Sequence, residues 1–324
     1  MAVYTHISDQ DLADYLAAYD VGPARVFKGI AEGVENSNFY LETEKARFIL
    51  TLFEKRTKAE DLPWFLALTE HLAKSGFPCA RAIPARDGKA LRTLNDKPAV
   101  LVEFLQGLSP RRPSLQQCRS FGEALARMHL ALADFTEEKP NAFGPEGWKA
   151  LWQGRANQAE ALQTGLAARI EADMALIEAH WPQGETLQCG AIHADLFPDN
   201  TFFIGETFTG AFDFYFACTD YLTYDLAICL NAWAFDTPSE YNYSKGAALL
   251  KGYQALRVLS NGERKALPLL MRGAALRFFL TRLVDWYDTP KDALVKPHNP
   301  MDYAARLDFH RSTIKAEDYG YQRG

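Results

Sequence analysis

The spacing of apolar residues changes character about a third of the way along the chain. Over the first hundred residues, short alternating runs mix with single helical stripes. Ser8-Asp9-Gln10-Asp11 forms a capping box that opens a short helix through Tyr19. Gly29-Ile30-Ala31-Glu32-Gly33 separates two strand-like stretches, and Asn38–Thr43 with Arg47–Phe53 has the form of a hairpin. Thr57-Lys58-Ala59-Glu60 is a second capping box. Apolar residues at 62, 65, 66, 68 and 72 give the helix behind it one face, and Gly76 and Pro78 stop it. Two further strands are expected around Ala80–Pro84 and Ala99–Phe104. Together these make a small, mostly antiparallel sheet with one long helix.

From Pro110 onward helical stripes dominate. Ser114-Leu115-Gln116-Gln117 caps a helix whose face carries Leu115, Cys118, Gly122, Leu125, His129 and Leu132. Polar helical material fills roughly 145–180, and apolar or aromatic stripes over 221–235, 240–257 and 262–288 predict three or more further helices. The last dozen residues are polar and charged and are expected to fray. The boundary falls near Gln106-Gly107, which gives an N-terminal lobe of 1–106 and a C-terminal lobe of 107–324. At 48% apolar and 13% aromatic content the chain has ample core. A net charge of −6 argues against nucleic acid or an anionic membrane as partner. No run approaches a membrane span, and the start has no basic stretch followed by an apolar one. Five scattered cysteines without a C-x-x-C pair fit reduced thiols in a cytoplasmic protein. Nothing in the chain predicts an oligomeric state.

The chemistry sits in His193-Ala194-Asp195-Leu196-Phe197-Pro198-Asp199-Asn200, the pattern H-x-D-x-x-x-x-N, with Asp213-Phe214 after it. Protein kinases use this order to place a catalytic Asp and two metal ligands around the phosphates of ATP. Asp195 is the candidate base and Asn200 and Asp213 the candidate Mg²⁺ ligands, because this hard cation takes oxygen donors. His193 belongs to the catalytic loop as a brace. The twelve residues between Asn200 and Asp213 are two apolar runs around a Gly-Glu turn, the signature of a hairpin with Asn200 and Asp213 at its open end. Asp213-Phe214-Tyr215 replaces D-F-G, and no long activation loop follows, which points to a small-molecule substrate.

The stretch from Asp213 to Ala227 resembles the I-D-F-x(5–7)-D-x-x-x-D-L-A pattern of the aminoglycoside phosphotransferase family. The segments 48–55, 101–107, 193–200, 213–217, 224–233 and 274–286 are similar, in order, to its homoserine kinase branch. That resemblance implies an α+β, two-lobe, protein-kinase-like fold and Mg²⁺·ATP-dependent phosphorylation of L-homoserine on the threonine pathway. It also implies that Asp225 stabilises the catalytic loop and that the backbone at Glu103, Phe104 and Leu105 meets adenine. Asn36, Ser37 and Lys55 are candidates for the phosphates, since Thr51 occupies the usual lysine slot and Gly29 and Gly33 form no G-x-G-x-x-G. Arg277 and Arg282, on an apolar helix, are candidates for the substrate carboxylate, with pairing of Arg282 to Asp285 as the alternative. Other readings keep the fold with choline, methylthioribose or an aminoglycoside as substrate. A nucleotide-binding pseudokinase and a metal-dependent hydrolase are further classes.

Overall fold

The computed structural model describes residues 5–30, 36–54, 58–183, 187–290 and 296–322. Residue contacts divide the chain into two units, one of 1–106 with 210–215 and 293–295, the other of the remaining residues.

In the first unit, helix α1 (Asp9–Leu16) starts on the capping box of Ser8 and Asp11 and ends three residues short of Tyr19. Strands β1 (Ala24–Gly29), β2 (Asn36–Thr43), β3 (Arg47–Phe53), β4 (Arg92–Leu94) and β5 (Lys97–Glu103) build one antiparallel sheet in the order β1-β2-β3-β5-β4. Phe48, Leu50 and Leu52 alternate along β3 and join Leu41, Leu101 and the α1 residues Leu12 and Leu16 in one apolar cluster. Helix α2 (Leu62–Lys74) buries Leu62, Phe65, Leu68 and Leu72. It opens at Asp61 without a side-chain cap and with proline in its first turn; Thr57, the cap of the expected capping box, lies outside the described residues. Ala80–Pro84 is no strand and contributes an isolated bridge from Ala82 to Val102. The fifth strand is β4, turned into β5 by Asn95 and Asp96, both at positive φ as a tight hairpin turn requires.

The second unit holds α3 (Leu115–Ala131), α4 (Pro145–Trp152), α5 (Ala156–Leu162), α6 (Leu166–His180), β6 (Cys189–Ile192), β7 (Thr201–Ile204), most of β8 (Thr207–Ala211) and β9 (Cys218–Tyr221). Helix α7 (Leu222–Trp233), the short strands β10 (Phe235–Thr237) and β11 (Glu240–Tyr241), and helices α8 (Tyr243–Gln254), α9 (Asn261–Asp288) and α10 (Met301–Ser312) follow. β7 and β8 form the expected hairpin around Gly205-Glu206, with Gly205 at φ +59°. β6 pairs antiparallel with β9, and that pairing sets where the loop after β6 begins. Helices α3 and α8 cross without room for a side chain: a Cβ on Gly122 would lie 2.1 Å from the Leu249 carbonyl oxygen. One on Gly252 would lie 2.1 Å from that of Arg119. The close crossing brings His129 of α3 against Tyr253 of α8. The C-terminal segment does not fray as expected, since Ala316, Tyr319 and Tyr321 are buried and Tyr319 bonds to His310. Among the described residues no helix is long and apolar enough to cross a membrane.

Candidate active site

The loop that follows β6 is held by groups from α7 and α9. Ala194 sits at φ +61°, a left-handed conformation that costs an L-residue roughly 1–2 kcal/mol. Two buried charges clamp it there. Its N–H donates to Asp225 Oδ1 at 2.9 Å, and its carbonyl accepts from Arg277 Nη1. Asp225, in the first turn of α7 and fully buried, also accepts the His193 N–H at 3.1 Å. Burial pushes the Asp225 carboxyl up. The His129 hydrogen bond, the charges of His129 and His193 and the His193 N–H outweigh it and hold the carboxyl below its ordinary range.

Downstream, the Leu196 carbonyl accepts from the Trp233 indole at 2.9 Å, and that indole stacks on Phe121 at 3.9 Å. The Asp195 carbonyl accepts the Phe197 N–H at 2.9 Å and Asn200 Nδ2 at 2.8 Å. With its backbone fixed on both sides, the Asp195 carboxylate is half-buried and bonded by Asn200 Nδ2 at 3.2 Å. The Asn200 amide nitrogen thus serves the loop, which leaves its carbonyl oxygen as the donor atom suited to a hard cation.

His193 is fully buried, and its Nδ1 accepts the Asp195 N–H at 3.3 Å. Its ring thus bonds back onto its own loop. Asp225 in turn is supported by a buried chain that sequence reasoning missed. His129 Nε2 meets its Oδ2 at 3.1 Å, His129 Nδ1 meets the Tyr253 hydroxyl at 2.8 Å, and Arg257 donates to that hydroxyl at 3.0 Å while pairing with Glu263. The one available signal was a histidine on the apolar stripe of α3.

Arg277 is 2% exposed, tied to the loop carbonyl, and its guanidinium lies 4.5 Å over Phe278 and 5.3 Å over Phe143. Its guanidinium is thus engaged by the Ala194 carbonyl of the loop. Arg282 pairs with Asp302 at 3.2 Å, twenty residues on, and so is also compensated.

In the first unit, Asp213 is exposed and at φ +64°, another left-handed non-glycine residue of the kind that collects at functional sites. Tyr215, in the glycine slot of D-F-G, packs edge-on against Phe53 at 4.9 Å and Phe65 at 5.8 Å. Asn36 and Ser37 are not loop residues. They are buried members of β2, paired with Phe53 and Leu52. Ser37 donates to Glu54 at 2.6 Å, Asn36 accepts the Glu54 N–H at 3.4 Å, and Thr51 donates to Asn38 at 2.8 Å. Lys55 lies outside the described residues. The Glu103 carboxylate takes two bonds from Arg81, at 3.0 and 2.6 Å, and its N–H donates to the Arg81 carbonyl. Phe104 meets Tyr40 edge-on and lies under the Arg47 guanidinium, and Leu105 follows it out of the sheet.

A homoserine kinase from Hyphomonas neptunium is 60% identical over 327 residues, spanning 99% of this chain and 100% of that protein. One from Sinorhizobium medicae is 51% identical over 323 residues, 100% of this chain and 98% of that one. Residues 26–259 match the phosphotransferase enzyme family. The chain belongs to that family, alongside these homoserine kinases. Its membership makes it an ATP-dependent small-molecule kinase. A spectinomycin phosphotransferase in complex with ADP and spectinomycin shares its fold, with a TM-score of 0.69 at 13% identity over 97% of this chain and 98% of that one. An amicoumacin kinase gives 0.68 at 15% identity over 96% and 94%. The fold is the α+β, protein-kinase-like one expected.

Proposed function

We propose that this enzyme transfers the γ-phosphoryl group of ATP to the side-chain hydroxyl of L-homoserine, giving O-phosphohomoserine and ADP, a step toward threonine. The observation that carries the reading is the 60% identity, end to end, with a homoserine kinase. The clamped loop supports it chemically. Asp195 accepts the hydroxyl proton, the hydroxyl oxygen forms its bond to the γ-phosphorus, and the bond to the bridging oxygen of ADP breaks. The γ-phosphoryl group needs charge compensation more than covalent help, so a carboxylate held in one orientation is the protein's main contribution.

Asn200 and Asp213 are the residues that would hold Mg²⁺. The fit is chemical: the Asn200 amide nitrogen is engaged by the loop, so an oxygen is presented, and Asp213 supplies an exposed carboxylate. The ion would neutralise charge on the phosphates. Residues 1–106 take the nucleotide role, with the Glu103–Leu105 backbone toward adenine, and residues 107–324 the catalytic one. The enzyme acts in the cytoplasm.

A coupled ADP-release assay with L-homoserine, L-serine and choline tests the reading. Serine carries its hydroxyl one carbon closer to the head group, and misplacing a reacting atom by about 1 Å costs on the order of 10²-fold. Homoserine is expected to exceed serine in kcat/KM by at least roughly that factor. Choline turning over faster than homoserine would overturn the substrate assignment and leave the family intact.

A further inference from the structure

Three arginines of α9 and α10 crowd one aromatic pair beside the catalytic loop. Phe278 stacks on Tyr303 at 5.2 Å, and Phe197, two residues past Asp195, meets Phe278 edge-on at 4.9 Å. The Arg277 guanidinium lies 4.5 Å over Phe278, and those of Arg282 and Arg306 lie 4.6 and 4.3 Å over Tyr303. Like charges gathered in a half-buried site each require compensation. Arg282 has the carboxylate of Asp302, and Arg277 has the carbonyl of Ala194 within a cage of rings.

Arg306 has neither. Its Nη1 donates to the Asn231 carbonyl at 2.8 Å, and among the described residues no carboxylate pairs with it. Its Nε is buried with no hydrogen-bond partner. The hydroxyl of Tyr303, a fully buried residue, is equally unpartnered. Buried donors are almost always satisfied, so an arginine with no carboxylate and an unbonded Nε, beside a phenol with no partner, marks a place for an anion. The ring of Phe197, two residues past Asp195, meets the Phe278–Tyr303 stack, which sets this deficit beside the catalytic loop.

We propose that Arg306 and the Tyr303 hydroxyl bind the α-carboxylate of the amino-alcohol substrate while Asp195 takes its hydroxyl. This rests on the homoserine reading and adds the groups that recognise the head group. An arginine donates to a carboxylate through a planar fork, and the phenol adds a hydrogen bond directed at the same oxygen pair. The selection is against neutral and purely cationic alcohols, which leave both donors unsatisfied.

The test uses the full chain, wild type, Arg306→Gln and Tyr303→Phe, with L-homoserine and with 3-aminopropan-1-ol, which is homoserine without its carboxylate. The wild type is expected to prefer homoserine by at least about 10²-fold in kcat/KM, the range for losing a charge-assisted hydrogen bond in a buried site. Arg306→Gln should raise the homoserine KM on the order of 10²-fold, with the ATP KM and aminopropanol turnover within about threefold of wild type. Tyr303→Phe, nearly isosteric, should raise the homoserine KM roughly tenfold. If Arg306→Gln does not fold, Tyr303→Phe decides alone. A folded Arg306→Gln with an unchanged homoserine KM, an equal loss on both alcohols, or a raised ATP KM would overturn the subsite and leave the homoserine reading standing. A wild type that phosphorylates no homoserine would remove both.

Discussion

The catalytic loop and the polar end of the β2–β3 hairpin handle their hydrogen bonds in opposite ways. In the loop, backbone groups are satisfied from far along the chain: Asp225 and Arg277 grip Ala194, and Trp233 grips the Leu196 carbonyl. In the hairpin, the polar side chains of Asn36, Ser37, Asn38, Thr51 and Glu54 bond one another or the neighbouring backbone. Burial pushes the Glu54 carboxyl up, and Lys97, Ser37 and Thr5 draw it below its ordinary range. The first arrangement fixes the backbone on both sides of one side chain, Asp195, the proposed base. The second uses polar side chains to close the open end of an inner strand pair. Polarity and burial alone do not distinguish the two; the identity of the partners does.

The comparison is broken most directly at Asp195. Asp195→Asn keeps the shape and the contacts of the loop and removes only the proton-accepting charge. Its kcat should fall by about 10²–10⁴, with the melting temperature close to wild type. A variant that retains more than half of wild-type turnover would remove Asp195 from the reaction.

Asp225→Ala attacks the clamp itself. It leaves two loop N–H groups and His129 without their buried acceptor, and the loss in unfolding free energy should be about 3–5 kcal/mol. Because the folded Asp225 carboxyl titrates below its ordinary value of 3.8, its contribution to stability is complete above that pH. It disappears as the pH falls through the lower folded value. Denaturant titrations between acid and neutral pH should show wild type and variant converging at the acid end. A gap that stays constant with pH would mean the carboxylate is not the stabilising group.

Ser37→Ala sharpens the other side. It removes one side-chain bond to Glu54 and should cost about 1 kcal/mol of stability, with the ATP KM changed less than about threefold. A tenfold rise in that KM at unchanged stability would return Ser37 to the nucleotide.

What was legible in the sequence follows the same division. The spacing from Asp195 to Asn200 is local, and the structure joins the two through the Asn200 amide. The Gly205-Glu206 turn is likewise a short-range signal. Contacts that span the chain left little trace. His129 and Asp225 are 96 residues apart, and His129 and Tyr253 are 124 apart, so the chain that supports the loop read only as helix faces. The local rule for Arg282 pointed to Asp285, while the structure supplies Asp302 from the next helix. The missed strand β4 is instructive in another way. It turns on Asn95-Asp96, and a three-residue strand is too short to show alternation.

The central claim is that the loop carrying Asp195 serves phosphoryl transfer to homoserine. The most direct measurement is ³¹P NMR of the purified full chain incubated with ATP, Mg²⁺ and L-homoserine, with Asp195→Asn run in parallel. The account predicts one new phosphomonoester, coupled through phosphorus to the terminal methylene of homoserine, appearing as ATP is converted to ADP and nearly absent in the variant. ADP formed with only inorganic phosphate beside it, or the same phosphomonoester at equal rate from both proteins, would contradict it.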